Sequence, residues 1–278
     1  MKGKHLHVFL IVVASFFLWH CGEEKPTIEP PRTNLKAEIK TPRITYKVVN
    51  TYPHDTSSYT EGFLFYNGKW LESTGAPAHI PHTRSAIGLA NLQTGAFEKK
   101  AEIDKKIYFG EGIVVLKDKL YQLTYQNQTG FIYDAKTFNK IGQFSYHNKE
   151  GWGMTTDGKY LIYTDGTCNI TFMNPDSFAV HRTIPVLENG YGVYQLNELE
   201  YIKGFLYANV WLTNRIVKID PETGEVKGEL DLSALFDQAR SKYPRLNELN
   251  GIGYDAGSDK ILVTGKLWPA IYELAFEH

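Results

Sequence analysis

A carboxylate or amide residue recurs at the start of predicted strands along this chain. It is followed by a small residue, or in one case by Glu198, and then by a strand, at intervals of 50, 39, 47 and 53 residues. The five occurrences are Glu61-Gly62, Glu111-Gly112, Glu150-Gly151, Asn197-Glu198 and Asn250-Gly251. Desolvation disfavours the charged form of an isolated Glu among aromatic side chains, so its pKa rises and it can both accept and return a proton. The pattern predicts a carboxylate suited to acid–base chemistry.

Three interpretations of these positions stay open on the residues alone. The polar groups can cap strand ends and bind water, or they can converge on a cation such as calcium, although the chain has no DxDxDG loop. They can also line a small-molecule pocket, because aromatic residues accompany them. Tyr125 and Trp211 each lie 14 residues after a polar position, and Trp152 lies two residues after Glu150. The familiar motifs GxSxG, HExxH and GxxxxGK[ST] do not occur in the sequence.

The elements that must position these residues repeat with a similar period. A turn opened by Asn or Asp, with Thr or Ser three residues later, follows an apolar strand end four times, at Asn91, Asp134, Asn174 and Asp220. Units of 40–50 residues that each contain hairpins are typical of propeller blades. One amphipathic stretch, SALFDQARSKY, lies between the fourth and fifth units and indicates a helical insertion.

The fold is therefore predicted to be all-β, a five-bladed β-propeller. A long β-sandwich is the alternative, but its strands would not carry a repeating motif. In a propeller the innermost strand of every blade runs beside the central channel, so the five polar positions are expected to surround one mouth of that channel.

The N-terminal part of the chain differs from this body. Lys2 and Lys4, a short apolar run and then Cys21 predict a signal peptide over residues 1–21, of the lipoprotein type in which Cys21 carries lipid. His20 stands where such signals usually have a small residue, so an ordinary cleaved signal or an uncleaved anchor is the alternative. Residues 22–43, rich in Pro, Lys and Glu, predict a flexible tether, and residues 44–278 the propeller.

Composition limits the partners of the chain. The formal net charge of −1 argues against nucleic acid, whose binding proteins are usually strongly basic. We expect an exported protein in the periplasm or cell envelope that is attached to the membrane only through lipid at Cys21. We also expect a monomer.

Five segments resemble the plant and bacterial glutaminyl-peptide cyclotransferases, the glutamine cyclotransferase family. They are YTEGFLF, YFGEGIVVLKDKLYQLTYQNQTGFIYD, EGWGMTTDGKYLIYTDGT, QLNELEYIKGFLYANVW, and LNGIGYD with ILVTGKLWPAIYEL. The resemblance implies a five-bladed propeller that converts the N-terminal glutamine of peptides and proteins to pyroglutamate and releases ammonia. It covers roughly residues 46–276, in order and at nearly constant spacing.

The resemblance also implies roles for particular residues. Glu111, preceded by Phe109, matches the glutamate of the family's F-x-E-G motif and is the expected general acid and base. Asn197 matches the amide of the N-E-L-E motif, which suits it to holding the substrate carbonyl. Trp152 and Trp211 match pocket tryptophans, and together with Phe109 they are expected to contribute to substrate binding.

By the same resemblance, Lys266 matches the lysine of the G-K-x-W-P motif. It is expected to contact the substrate or to bias the local electrostatic field. This chain departs from the family at other pocket positions. Tyr59 and Glu61 stand where the family has Phe and Gln, and Tyr125 replaces a tryptophan. We expect all three to contribute to substrate binding. Glu61 brings a second carboxylate near Glu111, and two close acids raise one pKa.

The implied chemistry needs no cofactor, and no metal ligand is expected among the site residues. A structural calcium ion in the channel is compatible with the polar ring. Two other functions stay open: a non-catalytic propeller that binds peptides, and a calcium-dependent hydrolase of the lactonase type.

Overall fold

The computed structural model describes residues 40–278, and these form a five-bladed β-propeller with one additional hairpin and one helix. The fold prediction is confirmed. The predicted signal peptide, Cys21 and most of the predicted tether lie outside the described residues. No helix within residues 40–278 is long and apolar enough to span a membrane.

Each blade is a four-stranded antiparallel sheet. The first strand among the described residues is β1 (Tyr46–Pro53). The first blade comprises β2 (Thr60–Tyr66), β3 (Lys69–Thr74), β4 (Ala86–Ala90) and β5 (Phe97–Glu102). The second comprises β6 (Gly110–Leu116), β7 (Lys119–Thr124), β8 (Thr129–Asp134) and β9 (Lys140–Ser145). The third comprises β10 (Met154–Thr156), β11 (Leu161–Thr164), β12 (Asn169–Met173) and β13 (Val180–Pro185).

The connection from the third blade to the fourth contains a two-stranded hairpin of β14 (Leu187–Glu188) and β15 (Tyr191–Gly192). The fourth blade comprises β16 (Leu196–Ile202), β17 (Phe205–Val210), β18 (Arg215–Ile219) and β19 (Val226–Asp231). The predicted helical insertion follows as α1 (Ser233–Lys242). The last blade contains β20 (Leu249–Asp255), β21 (Lys260–Gly265) and β22 (Ala270–Phe276).

The ring is closed by pairing the two ends of the described chain. β1 is the outermost strand of the last blade and pairs antiparallel with β22, from Tyr46 opposite Phe276 to Pro53 opposite Ala270. The segment before β1 is also attached, because the Ile44 amide donates to the Glu229 carbonyl at 2.8 Å and the Glu229 amide donates to the Pro42 carbonyl at 2.9 Å. The last residues of the predicted tether therefore contact the propeller.

The four predicted turns join the third and fourth strands of the first four blades. In each turn the side-chain oxygen of Asn or Asp accepts hydrogen bonds from the amides two and three residues later, as at Asp134, where the distances are 3.1 and 2.8 Å. Such self-bonded turns fix the hairpin locally. The last blade lacks this turn because its fourth strand is β1, which comes from the other end of the chain.

The inner strands of four blades carry a register shift at the predicted polar position. The shifts lie between Thr60 and Gly62, Gly110 and Ile113, Leu196 and Leu199, and Leu249 and Ile252. A bulge adds a residue to one strand and redirects its side chain, and bulges are common next to functional sites. This local irregularity positions the side chains of Glu61, Glu111, Asn197 and Asn250.

The third blade differs from the prediction. There the position adjacent to Glu111 is Trp152, whose carbonyl accepts the Gly112 amide at 2.7 Å. Its inner strand begins only at Met154, so Glu150 lies two residues before the position that the sequence pattern assigned to it. The inclusion of Glu150 in the ring was therefore wrong.

Gly112 is needed where two inner strands approach closely. A Cβ atom at this residue would lie 2.4 Å from the Met154 nitrogen and 2.6 Å from the Trp152 oxygen, both backbone atoms that cannot rotate away. Glycine at this position allows the backbones of the second and third blades to meet.

Gly112→Ala is expected to lower the free energy of unfolding by about 1–3 kcal/mol, because the added methyl forces the blades apart. Chemical denaturation measures the change. Gly142→Ala is the matched control, since its Cβ would be 3.5 Å from the nearest Ile132 atom. An equal, small effect of both substitutions would contradict the proposed close approach.

Candidate active site

A cavity of about 330 Å³ opens at the mouth of the channel where the bulged strands begin. It is lined by Tyr59, Glu61, Pro77, Phe109, Glu111, Tyr125, Trp152, Asn197, Trp211 and Lys266. The structure thus brings all nine predicted pocket residues together. Cys21, the predicted lipidation site, lies outside the described residues.

Three residues that line the cavity each come directly after the end of the second strand of a blade. The amides of Tyr125, Trp211 and Lys266 donate to the carbonyls of Phe109, Gln195 and Glu248 at 3.0, 2.9 and 2.9 Å. In the first blade the equivalent donor is Gly75, which bonds to the Tyr59 carbonyl at 2.8 Å. Four blades therefore hold the equivalent residue by the same hydrogen bond, and in three of them that residue lines the cavity.

Sequence reasoning missed Pro77, although a signal was available. The offset of 14 residues that finds Tyr125 from Glu111 finds Gly75 from Glu61, two residues before Pro77. Glycine is required there because a Cβ would lie 2.1 Å from the Phe109 ring. The first blade contributes space for Phe109 in place of an aromatic wall.

Aromatic rings form two groups around the cavity. Phe109 contacts Tyr59 and Tyr125 edge-on, with ring centres 6.2 and 6.0 Å apart. On the other side, Trp152 and Trp211 are perpendicular at 5.5 Å, and the Trp152 indole donates to Glu150 at 2.9 Å. These walls can enclose the methylene groups of a small ligand while polar groups hold its ends.

Glu61 and Lys266 form a buried ion pair at one side of the cavity, with Oε1 and Nζ 2.9 Å apart. The other Glu61 oxygen accepts the Asn250 amide at 3.1 Å. Burial raises the pKa of Glu61 to about 7, although the charge of Lys266 acts in the opposite direction. Burial alone would lower the pKa of Lys266, but Glu61, Tyr59 and Glu111 outweigh it and raise the pKa. Lys266 therefore stays cationic at neutral pH.

Glu111 is buried, and its pKa lies well above the usual range for a carboxyl group. Desolvation is the main cause, the charge of Glu61 adds to it, and Lys266 acts against it. The backbone of Glu111 is held by a buried relay, because Ser73 donates to its carbonyl at 2.6 Å and Gln122 donates to Ser73 at 3.1 Å. The side chain is thus held in the cavity wall as a carboxyl group that retains its proton more strongly than an exposed one.

Asn197 contributes a buried acceptor without a partner. Its Oδ1 atom makes no hydrogen bond to any residue that the structure describes. Such a group costs free energy unless a ligand or water bonds to it. Because the side chain lines the cavity, an N–H group of a bound ligand is a suitable partner.

Glu198 lies in the inner strand directly after Asn197, where the sequence pattern has glycine in the other blades. Its carboxylate accepts the amides of Phe63 at 3.1 Å and Ile252 at 2.7 Å. It thereby joins the inner strands of the first, fourth and last blades. Burial raises its pKa well above the usual value, with a further contribution from Glu200.

A second buried network supports the strand that carries Glu61. His54, just after β1, contacts the carboxylate of Glu72 at 3.1 Å, and the Thr60 hydroxyl donates to the same oxygen at 2.7 Å. The other ring nitrogen of His54 lies 2.9 Å from the Trp268 carbonyl. The network connects the closing strand to the strand that begins beside Glu61.

Comparison with known proteins identifies the family. The sequence model of the family described as glutamine cyclotransferase matches residues 25–276. A glutaminyl-peptide cyclotransferase of Arabidopsis thaliana is 38% identical over 230 residues, which are 82% of this chain and 70% of that relative. This chain belongs to the glutamine cyclotransferase family.

A solved member of the same fold supports this assignment. The crystal structure of the glutaminyl cyclase of Myxococcus xanthus superposes with a TM-score of 0.76 at 31% identity, and the match covers 86% of this chain and 99% of that one. The resemblance noted from the sequence motifs is thereby confirmed. The roles of individual pocket residues in this member of the family stay predictions.

No cluster of three or more His, Cys, Asp or Glu side chains suited to holding a metal ion occurs between residues 40 and 278.

Glu61→Gln is expected to lower the pKa of Glu111. The substitution removes a negative charge that raises this pKa and leaves Lys266, which lowers it, without its counter-charge. Carbon-13 NMR titration of the Glu111 carboxyl group measures the shift, with the exposed Glu222→Gln as control. An unchanged or higher pKa in Glu61→Gln would show that Glu61 does not act on Glu111.

Proposed function

We propose that this chain is a glutaminyl-peptide cyclotransferase that converts the N-terminal glutamine of peptides and proteins to pyroglutamate. Family membership supports the activity. The single structural observation that carries the mechanism is the buried carboxyl group of Glu111, which lines an open-mouthed aromatic cavity together with Asn197 and Lys266.

The reaction is a ring closure within one residue. The α-amine nitrogen attacks the side-chain amide carbon, a C–N bond forms, and the bond to the amide nitrogen breaks so that ammonia leaves. One proton must leave the attacking amine, and one must reach the departing nitrogen. Because both reacting groups belong to the substrate, the enzyme gains most by holding them in the reactive geometry and moving these protons.

Glu111 is the proposed carrier of the proton. As a carboxylate it takes the proton from the attacking amine, and as a carboxylic acid it delivers the proton to the leaving amide nitrogen. Its raised pKa favours the second step, since a carboxyl group with an ordinary pKa is a poor match to a nitrogen leaving group near neutral pH. One group can thus serve both transfers without a change of partner.

The neighbouring polar groups are proposed to hold the reacting amide. Asn197 Nδ2 donates to the substrate carbonyl, and Asn197 Oδ1, which otherwise lacks a partner within the described chain, accepts a substrate N–H. The ammonium of Lys266 is fixed by Glu61 at 2.9 Å and stabilises the negative charge that develops on the carbonyl oxygen. The aromatic walls exclude water and enclose the two methylene groups of glutamine.

Glu111→Gln is expected to lower kcat for a Gln-initiated peptide by at least about 100-fold, because the proton carrier is lost. Ammonia release and the loss of one NH3 from the peptide by mass spectrometry report the activity. Full activity of this variant would exclude Glu111 as the general acid and base. If the wild-type protein binds the peptide without releasing ammonia, the chain is a peptide-binding propeller instead.

The same substitution is expected to stabilise the fold at alkaline pH. The pKa of Glu111 is higher in the folded protein than in the unfolded chain. The contribution of the protonated Glu111 to stability is therefore complete below the unfolded-state pKa and is lost as pH rises through the folded-state pKa. Because Gln does not ionise, the variant does not lose stability in this way as pH rises. The free energy of unfolding of Glu111→Gln should therefore exceed that of the wild type at pH 9, and the excess should shrink at pH 4. A pH-independent difference would contradict a raised pKa.

We also propose that the reaction proceeds without a cofactor, because the substrate supplies both reacting groups. Undiminished turnover in chelator supports this, and loss of turnover would favour the calcium-dependent alternative. A structural calcium ion in the channel would instead be revealed by a fall in melting temperature with chelator while activity at low temperature persists.

The protein is further proposed to be a monomer held at the cell envelope by lipid on Cys21. The basic and apolar residues before Cys21 support export. Cys21→Ser should release the protein from the membrane fraction, and mass spectrometry of the native N-terminus should show acyl chains. Retention of the Cys21→Ser variant in the membrane fraction would favour an uncleaved anchor.

A further inference from the structure

A second cavity lies beside the proposed active site. Its volume is about 340 Å³, and it is lined by Leu212, Thr213, Asn214, Phe236, Arg240, Leu246, Asn247 and Glu248. These residues come from the turn between β17 and β18, from α1 and from the segment that leads into β20. We refer to this cavity as the α1 groove.

The α1 groove shares a wall with the active-site cavity. The Asn247 amide donates to the Lys266 carbonyl at 2.8 Å, and the Lys266 amide donates to the Glu248 carbonyl at 2.9 Å. Lys266 lines the first cavity, and both of its partners line the second. At the other side of the shared wall, Leu212 directly follows Trp211. A molecule that leaves the active site over this wall therefore enters the groove.

Glu248, in the wall shared by the two cavities, carries an acceptor that no described residue satisfies, and its charge also acts on Tyr59 and Glu61 in the first cavity. The Oε2 atom of Glu248 is buried and has no hydrogen-bond partner within residues 40–278. A buried carboxylate oxygen without a donor is costly, and a peptide N–H group is a suitable donor. Glu248 thus offers a point at which the backbone of a bound peptide can attach.

The remaining surface of the groove combines apolar side chains with a cation. Leu212 is 59% exposed and has a positive φ of 62°. Arg240 is exposed, with its guanidinium 5.6 Å from the centre of the Phe236 ring. Among residues 40–278, no carboxylate lies within 4.0 Å of it.

We propose that the α1 groove binds the residues that follow the N-terminal glutamine and favours peptides with an acidic side chain shortly after an apolar one. This inference rests on the proposed cyclotransferase activity. Only the first residue of the substrate reacts, so the rest of the peptide must leave the cavity through its mouth. Glu248 accepts a backbone N–H, Leu212 and Phe236 contact the apolar side chain, and Arg240 attracts the acidic one.

The test compares three substrates: a glutamine derivative blocked as a small amide, and two peptides that begin Gln-Phe-Glu and Gln-Phe-Lys and are otherwise identical. The wild type is expected to turn over the Glu peptide about fivefold more efficiently in kcat/KM than the Lys peptide, and less so at high salt. Arg240→Glu should reverse this preference and leave the blocked glutamine unaffected. Arg245→Glu is the matched control, since Arg245 is exposed and lies 5.7 Å from the Tyr243 ring, outside the groove.

Equal use of both peptides by the wild type, or the same preference in Arg240→Glu, would overturn the proposal. Failure to cyclise even the blocked glutamine would count against the proposed function instead. The groove is then tested by binding alone, from the tryptophan fluorescence of Glu111→Gln titrated with the two peptides. Tighter binding of the Glu peptide that is lost when Arg240→Glu is added supports the groove, and equal affinities refute it.

Discussion

Two carboxyl groups and one ammonium group are buried beside one cavity, and the surrounding architecture keeps them there. Glu61 and Lys266 neutralise one another at 2.9 Å, which leaves Glu111 as the acid without a counter-charge. Desolvation of such a group is costly for the folded protein. Inner strands from four blades, fixed by bulges and by the Glu198 bridge, hold it in place. The propeller therefore bears a loss of stability at the position of the proposed proton carrier.

The blades could be predicted because their signals are local. Asn91 and Asp134 bond their own following amides, so the sequence of each turn contains the information that forms it. The closing strand β1 could not be predicted in this way, since its partner β22 is distant in sequence and no turn joins them. Glu150 was placed wrongly because the inner strand of its blade begins only at Met154. Nothing in the sequence indicates this late start.

The candidate site could also be predicted only in part. The repeat brought Glu61, Glu111 and Asn197 to one mouth of the channel, and motif resemblance added Lys266. The pairing of Lys266 with Glu61 depends on side-chain positions in the first and last blades, which periodicity does not specify. The α1 groove could not be predicted from the sequence either. The sequence indicated α1 as an insertion, but the cavity beside it is formed jointly with two other segments.

The pairing of β1 with β22 has a consequence for how the protein is made. Tyr52 bonds to Glu273, 221 residues later, so the ring cannot close while the chain is still emerging. The first four blades can form in order during synthesis, but β1 must wait with its edge unpaired until the last blade arrives. Closure is then a late, slow search between distant segments. Because His54 and Glu72 join the closing strand to the strand beside Glu61, the support of the candidate site is completed only when β1 is in place.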